Sequence, residues 1–158
     1  MAELEAAELR ELVRQMYAAS ADNKRLLSAL LEDDSSGLKI KVTQEIEKAF
    51  GTAQSQRCPS LKTGAARTAL QHYAKFAPPA ALVHAELDFV EAGLACMECY
   101  GDVSGSARSS LESMWQTLMK RCLSLPRDEI PWTRLRRVEA NQEGCGWGFL
   151  EELEGLEE

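Results

Sequence analysis

The sequence predicts an all-α fold: a single compact multi-helix domain, residues 1–158, of about seven or eight helices around a long central helix at 79–100. Three observations lead there. Apolar residues recur at helical spacing through most of the chain. Glycine and proline fall between those periodic segments. The one alternating stretch that reads as a strand has no second strand to pair with. At 158 residues and 45% apolar content, the chain is long enough to bury a core without disulfides or metal staples.

Residues 3–18 place Leu4, Leu9, Leu12, Val13 and Met16 on one helical face, with glutamates and arginines elsewhere. Ser20 or Asp22 caps a second helix carrying Leu26, Leu27, Leu30 and Leu31, so residues 1–34 read as an amino-terminal helical hairpin. The run Glu32-Asp33-Asp34-Ser35-Ser36-Gly37 closes it. Leu38, Ile40 and Val42 alternate with Lys39, Lys41 and Thr43, a strand signal. Leu38, Val42, Ile46 and Phe50 also recur every four residues, and for want of a partner strand the segment reads as a helix.

After a loop at 51–59, Ser60 is expected to cap a helix running to about Phe76, with Leu61, Ala65, Ala69, Leu70 and Tyr73 inward. Pro78-Pro79 stop it and open the next helix at its first turn. Helix 79–100 is apolar nearly all round. Val83, Leu87, Val90, Leu94 and Met97 form one stripe, and Leu82, Phe89, Cys96 and Tyr100 another. Only a strip with His84, Asp88, Glu91 and Glu98 stays polar, which makes this helix central. Gly101 is its carboxyl-terminal cap. Ser104 or Ser106 then starts a helix with Leu111, Met114, Trp115, Leu118, Met119 and Cys122. Pro126 and Pro131 bracket a break before a shorter helix from Trp132 to about Glu139. Leu150, Leu153 and Leu156 mark an acidic final helix.

Between those last two lies Gly144-Cys145-Gly146-Trp147-Gly148-Phe149. Each glycine costs roughly 1 kcal/mol inside a helix relative to alanine, so the segment reads as a turn. The turn is expected to dock Trp147 and Phe149 on the helices and pin the final helix, with an aromatic-lined groove or a partner surface as the alternative. It lacks the Gly-x-x-x-x-Gly-Lys-Ser/Thr pattern and follows no strand, so nucleotide signatures fail.

The arrangement of these segments resembles a family of small, all-helical, mainly bacterial proteins catalogued as a domain of unknown function. The matching pieces are Leu12-Val13-x-x-Met16-Tyr17, Ser60-Leu61-Lys62, Leu87-Asp88-Phe89-Val90-Glu91-Ala92-Gly93, Tyr100-Gly101-Asp102, Ser110-Leu111-Glu112-Ser113-Met114-Trp115 and Gly146-Trp147-Gly148-Phe149. They span most of residues 4–155. The resemblance implies the all-helical fold and brings no activity, cofactor or catalytic residue with it.

Net charge is −7, and it is uneven: residues 35–76 sum to +5 while the other segments are acidic. An acidic chain is a poor nucleic-acid binder, because such binding is driven by phosphate neutralisation. The basic segment, with Lys39, Lys41, Lys62 and Arg67, is the one place for an exception. Five cysteines, an acidic amino terminus and no apolar run near ~20 residues read as a reduced, cytoplasmic protein with no membrane partner. Cys96-x-x-Cys99 lies at the carboxyl end of its helix, where the dipole opposes a thiolate, and reads as packing.

Catalytic residues and cofactors are not expected. The candidates for a metal site, or for a histidine base oriented by a carboxylate, are His84, Asp88 and Glu91, which share a face at i, i+4 and i+7. Arg134, Arg136 and Arg137 are expected to balance Glu139 and Glu143. The expected function is a non-enzymatic interaction or adaptor domain for a protein partner, self-associating or not, with Trp132, Trp147 and Phe149 as anchors. A metal-dependent or cryptic enzyme built on His84, Asp88 and Glu91, and a nucleic-acid-associated protein built on the basic segment 35–76, are its rivals.

Overall fold

The computed structural model describes residues 5–32, 34–52, 59–101 and 104–143. All secondary structure among the described residues is helical. In chain order the helices are α1 (Ala6–Ala19), α2 (Ala21–Leu31), α3 (Ser36–Phe50), α4 (Gly64–Tyr73), α5 (Pro79–Tyr100), α6 (Gly105–Cys122) and α7 (Trp132–Glu143). The glycine-rich turn with Trp147 and Phe149, the acidic final helix, Cys58 and Cys145 lie outside the described residues.

Helix α5 is the axis. It packs against α3, α4, α6 and α7. Leu82, Val83, Leu87, Phe89, Val90 and Leu94 are buried on all sides of it. This is the outcome expected of a helix without a single solvent face. Pro79 stands at its first turn, where a missing N–H costs nothing. Gly101 closes it at φ 83°, donating its N–H to the Met97 carbonyl. Phe50 of α3 meets Phe89 edge-on, with ring centroids 5.1 Å apart. Gly93 lets α6 approach: a β-carbon there would lie 2.2 Å from a Leu111 methyl.

Two boundaries differ from expectation. Helix α3 begins at Ser36, ahead of Leu38, so the alternating stretch lies wholly inside a helix that buries Leu38, Val42, Ile46, Ala49 and Phe50. Helix α4 begins at Gly64 rather than after Ser60. The Ser60 hydroxyl instead donates to the Lys48 carbonyl at 3.0 Å, and Leu61 N–H donates to the Ala49 carbonyl at 2.9 Å. Leu61 adopts φ 54° to do so. The segment before α4 is thus spent capping the end of α3, satisfying carbonyls that a helix end leaves open.

The hairpin α1–α2 is of another kind. A Glu5 N–H to Glu8 carboxylate bond of 2.9 Å opens α1. Ser20, the residue between the two helices, accepts from Asn23 N–H at 3.0 Å and caps α2. The Asn23 amide donates back to the Met16 carbonyl at 2.7 Å, which folds α1 onto α2. Helix α1 makes substantial contact with α2 alone, and α2 rests on α3. No residue of α1 is buried, and in α2 only Ala29 is. No helix among the described residues is long and apolar enough to cross a membrane.

Candidate functional site

Helical spacing does bring His84, Asp88 and Glu91 onto one face of α5. The structure fills that face with a cation from the protein itself. Arg134, in the first turn of α7, donates Nε and Nη2 to the two Glu91 carboxylate oxygens at 3.0 and 2.6 Å. Its Nη2 also reaches Asp88 at 2.8 Å, and its Nη1 lies 3.1 Å from His84 Nδ1. A guanidinium has no acceptor, so Nδ1 accepts and the imidazole proton of that contact sits on Nε2. From the other side Lys39 of α3 donates to the second Asp88 oxygen at 2.7 Å.

Burial pushes the Asp88 carboxyl up, but Lys39 and then Arg134 outweigh it and hold it below its usual value. The bidentate bond Arg134 donates to Glu91, and the bond it donates to Asp88, raise Arg134 in turn, against its own burial. At these candidate metal ligands Arg134 and Lys39 supply positive charge from the protein itself. Among the described residues no group of three or more His, Cys, Asp and Glu side chains is placed to hold a metal ion. The chemistry of this face is that of a clamp joining α3, α5 and α7. Arg134 therefore balances Asp88 and Glu91 of α5, and the side chain of Glu143 lies outside those described. Sequence periodicity marks a polar strip but not its partners, which are 43 to 50 residues away.

A second ion pair joins α5 to α6. Glu86 is buried in α5 and receives Arg121 of α6 through Nε at 3.2 and 3.1 Å and through Nη2 at 3.1 Å. Burial raises the Glu86 carboxyl even against Arg121. The neighbouring Cys122 thiol is pushed up to about 11, by burial first and then by the Glu86 charge, so it is an inert thiol. The available signal was positional. Glu86 lies about 200° around the helix from His84, on an apolar face, and a carboxylate there requires a buried cation. Cys96 is buried and Cys99 exposed, so the two thiols do not converge.

Four cations of the basic segment are met by the chain's own acids and hydroxyls. Lys39 turns to Asp88, Lys41 to Glu45 and Asp22, and Lys48 to Glu45. Arg67 reaches from α4 to the Ser110 and Ser113 hydroxyls of α6, each at 3.3 Å. Trp132 is half-buried against the core, its indole N–H donates to the Arg127 carbonyl at 3.0 Å, and the Arg127 guanidinium stacks 5.6 Å from its ring. The other two expected anchors, Trp147 and Phe149, lie outside the described residues.

What remains open to a ligand is on the hairpin side. Leu9, Leu12, Val13, Met16 and Tyr17 of α1 are 36–51% exposed. Leu30 and Leu31 of α2 are more exposed still. Beside them is a groove of about 350 Å³. Its floor is α3, with Leu38, Lys41 and Glu45, and its walls are α2 and α4. Helices α2 and α4 both lie on α3 without substantial contact with each other, and the groove is the gap between them. The periodicity of α1 was legible in the sequence; that its apolar face is exposed among the described residues was not. No family model, curated protein or solved structure matches this chain.

Proposed function

We propose that this protein is a cytoplasmic helical interaction domain that binds a protein partner through the apolar face of α1. One observation carries the reading. Leu9, Leu12, Val13 and Met16 stand at i, i+3, i+4 and i+7, Tyr17 follows at i+8, and all five are exposed. This is the anchor spacing with which an amphipathic helix enters a groove. Contiguous exposed apolar side chains on an otherwise well-packed chain mark an interaction site. The expected anchor Trp132 gives way to α1 in this reading, because its polar and aromatic contacts are made within the chain. The resemblance to the small all-helical bacterial family is kept as a proposal about ancestry and adds nothing to the choice of face.

The test separates a binding face from a folding face. A chain carrying Leu9→Gln, Leu12→Gln and Met16→Gln together is compared with wild type by thermal unfolding and by chemical cross-linking in the native host. A binding face predicts an unfolding midpoint within a few degrees of wild type, since exposed substitutions change stability by about 0.5 kcal/mol or less. It also predicts cross-links from α1 in the wild type that the variant lacks. A large loss of stability, or identical cross-linking patterns, ends the proposal.

A further inference from the structure

We infer that the α1–α2 hairpin is a folded-back helix that opens: α1 swings off α2 and joins it end to end as one continuous helix over residues 6–31. The inference rests on the reading of α1 as a binding face and names the form of the chain in which that face is complete. The sequence holds nothing that stops a helix here. From Ala6 to Leu31 there is no glycine and no proline, and Val13 is the only β-branched residue. Ala18, Ala19 and Ala21 surround the break, and alanine is the best helix former. Yet Ser20 is extended, at φ −156° and ψ 155°, and the helix stops and restarts around it. A few side chains hold that break. The Ser20 hydroxyl accepts from Asn23 N–H, and the Asn23 amide donates to the Met16 carbonyl. The Lys24 ammonium lies 5.7 Å from the centre of the Tyr17 ring. Both hydrogen bonds are exposed, so water competes for them. In the straight form the N–H groups of residues 20–23 donate instead to the carbonyls of residues 16–19, as in any uninterrupted helix.

The register across the break is the second observation. Leu27, Leu30 and Leu31 follow Leu9, Leu12 and Val13 by eighteen positions each, which is five whole turns at 3.6 residues per turn. In one continuous helix these six side chains fall on one stripe, with Met16 between the two groups. Helix α2 holds that stripe clear of α3. Its Ala29 is buried, its Asp22 lies 3.9 Å from Lys41 of α3, and a β-carbon at Gly37 would lie 3.1 Å from Arg25 Cγ. Arg25 and Ala29 each stand two positions from Leu27, about 200° around the helix. Helix α2 therefore stays seated on α3 while the stripe faces away, and Leu30 and Leu31 are already 57% and 76% exposed. Helix α1 gives up little packing in the swing. None of its residues is buried, and among the described residues it makes substantial contact with α2 alone. Folded at Ser20, the stripe is broken in two; opened, it runs about 33 Å from Leu9 to Leu31.

The distance between two nitroxide labels in the full chain tests this. The labels replace Ala7 and Glu32, both exposed, as non-canonical residues, so that the five cysteines stay untouched. A continuous helix sets these positions about 38 Å apart, and the fold-back brings them closer. In the wild type the short distance should dominate. Ser20→Ala with Asn23→Ala removes both bonds that hold the break. The expected result is a rise of at least about tenfold in the ratio of long to short distances, with helical ellipticity kept or increased. Ala21→Pro acts in the opposite direction. Proline suits the first turn of α2 and the extended Ser20 before it, but not the interior of a helix. Added to the double variant, it should restore the short distance. A double variant that keeps only the short distance overturns the inference. So does a broad spread of distances with lost ellipticity, because α1 then unravels instead of joining α2. A long distance that survives Ala21→Pro overturns it too. Cross-links from α1 in a chain that never opens leave the binding-face reading standing without this inference. A chain that opens without such cross-links keeps the helix transition and loses the binding face.

Discussion

Helices α1 and α5 illustrate opposite relations between pattern and burial. Helix α1 has the clean amphipathic pattern that ordinarily announces a core-facing helix, and none of its residues is buried. Helix α5 has almost no polar face, and eleven of its residues are buried. A helix needs neighbours on every side to hide an apolar surface that runs all round, and α3, α4, α6 and α7 supply them to α5. Among the described residues helix α1 makes substantial contact with α2 alone. The hairpin is held by caps and a few backbone bonds, whereas the α3–α7 bundle is held by a continuous apolar core with two ion-pair ties across it.

This difference should show most strongly when the same kind of substitution is made in both regions. Phe89→Ala removes a fully buried ring that meets Phe50, and should cost about 3–5 kcal/mol. For a chain of this size that lowers the unfolding midpoint by roughly 6–20 °C. Leu12→Ala should cost under about 0.5 kcal/mol. Equal losses from the two, measured by thermal unfolding, would erase the distinction.

The tie between Glu86 and Arg121 comes next. Arg121→Met leaves a carboxylate buried without its cation and should cost about 2–4 kcal/mol, whereas the Glu86→Met, Arg121→Met pair should come within about 1 kcal/mol of wild type. The sign with pH follows from the raised Glu86 carboxyl. A carboxyl raised on folding favours the native state below its unfolded value, and that contribution is lost as pH rises through the folded value. Denaturant titrations of the single and double variants at neutral pH decide it. A single variant as stable as wild type would mean that Glu86 needs no cation.

The Asp88 clamp should respond in the opposite sense to acid. Its carboxyl is held low by Lys39 and Arg134 against burial, so its stabilisation is present above the unfolded value near 3.9 and is lost as pH falls through the folded one. Arg134→Met should therefore cost about 1–2 kcal/mol at pH 7, limited because Asp88 and Glu91 keep about a third of their exposure. The gap between wild type and variant should narrow below about pH 4. A gap independent of pH would show that Arg134 acts by packing alone.

The smallest effect sharpens the comparison without any substitution. Amide exchange in α1 should proceed by local opening, at a free energy well below that of the α5 amides, which should exchange only on global unfolding.

Much of this architecture was legible before any coordinates. The Pro78-Pro79 start, the Gly101 stop and the two-sided apolar pattern between them placed α5 at the centre, because backbone chemistry and helical period act locally. The ambiguous stretch 38–43 resolved as helix because its four-residue recurrence continued to Phe50. Ser60 was misread for an equally physical reason: a hydroxyl caps whichever helix end is near, and the near one was the end of α3.

By itself the sequence determined the fold class, the helix order and which faces are apolar, since these follow from residue spacing and from where glycine and proline interrupt it. Only the tertiary structure decided what each face meets. It brought Arg134 and Lys39 to the polar strip of α5, hid Glu86 against Arg121, and left the apolar face of α1 exposed among the described residues. Those outcomes depend on packing between residues dozens of positions apart. A helical period carries no record of which neighbour arrives, or of whether one arrives at all.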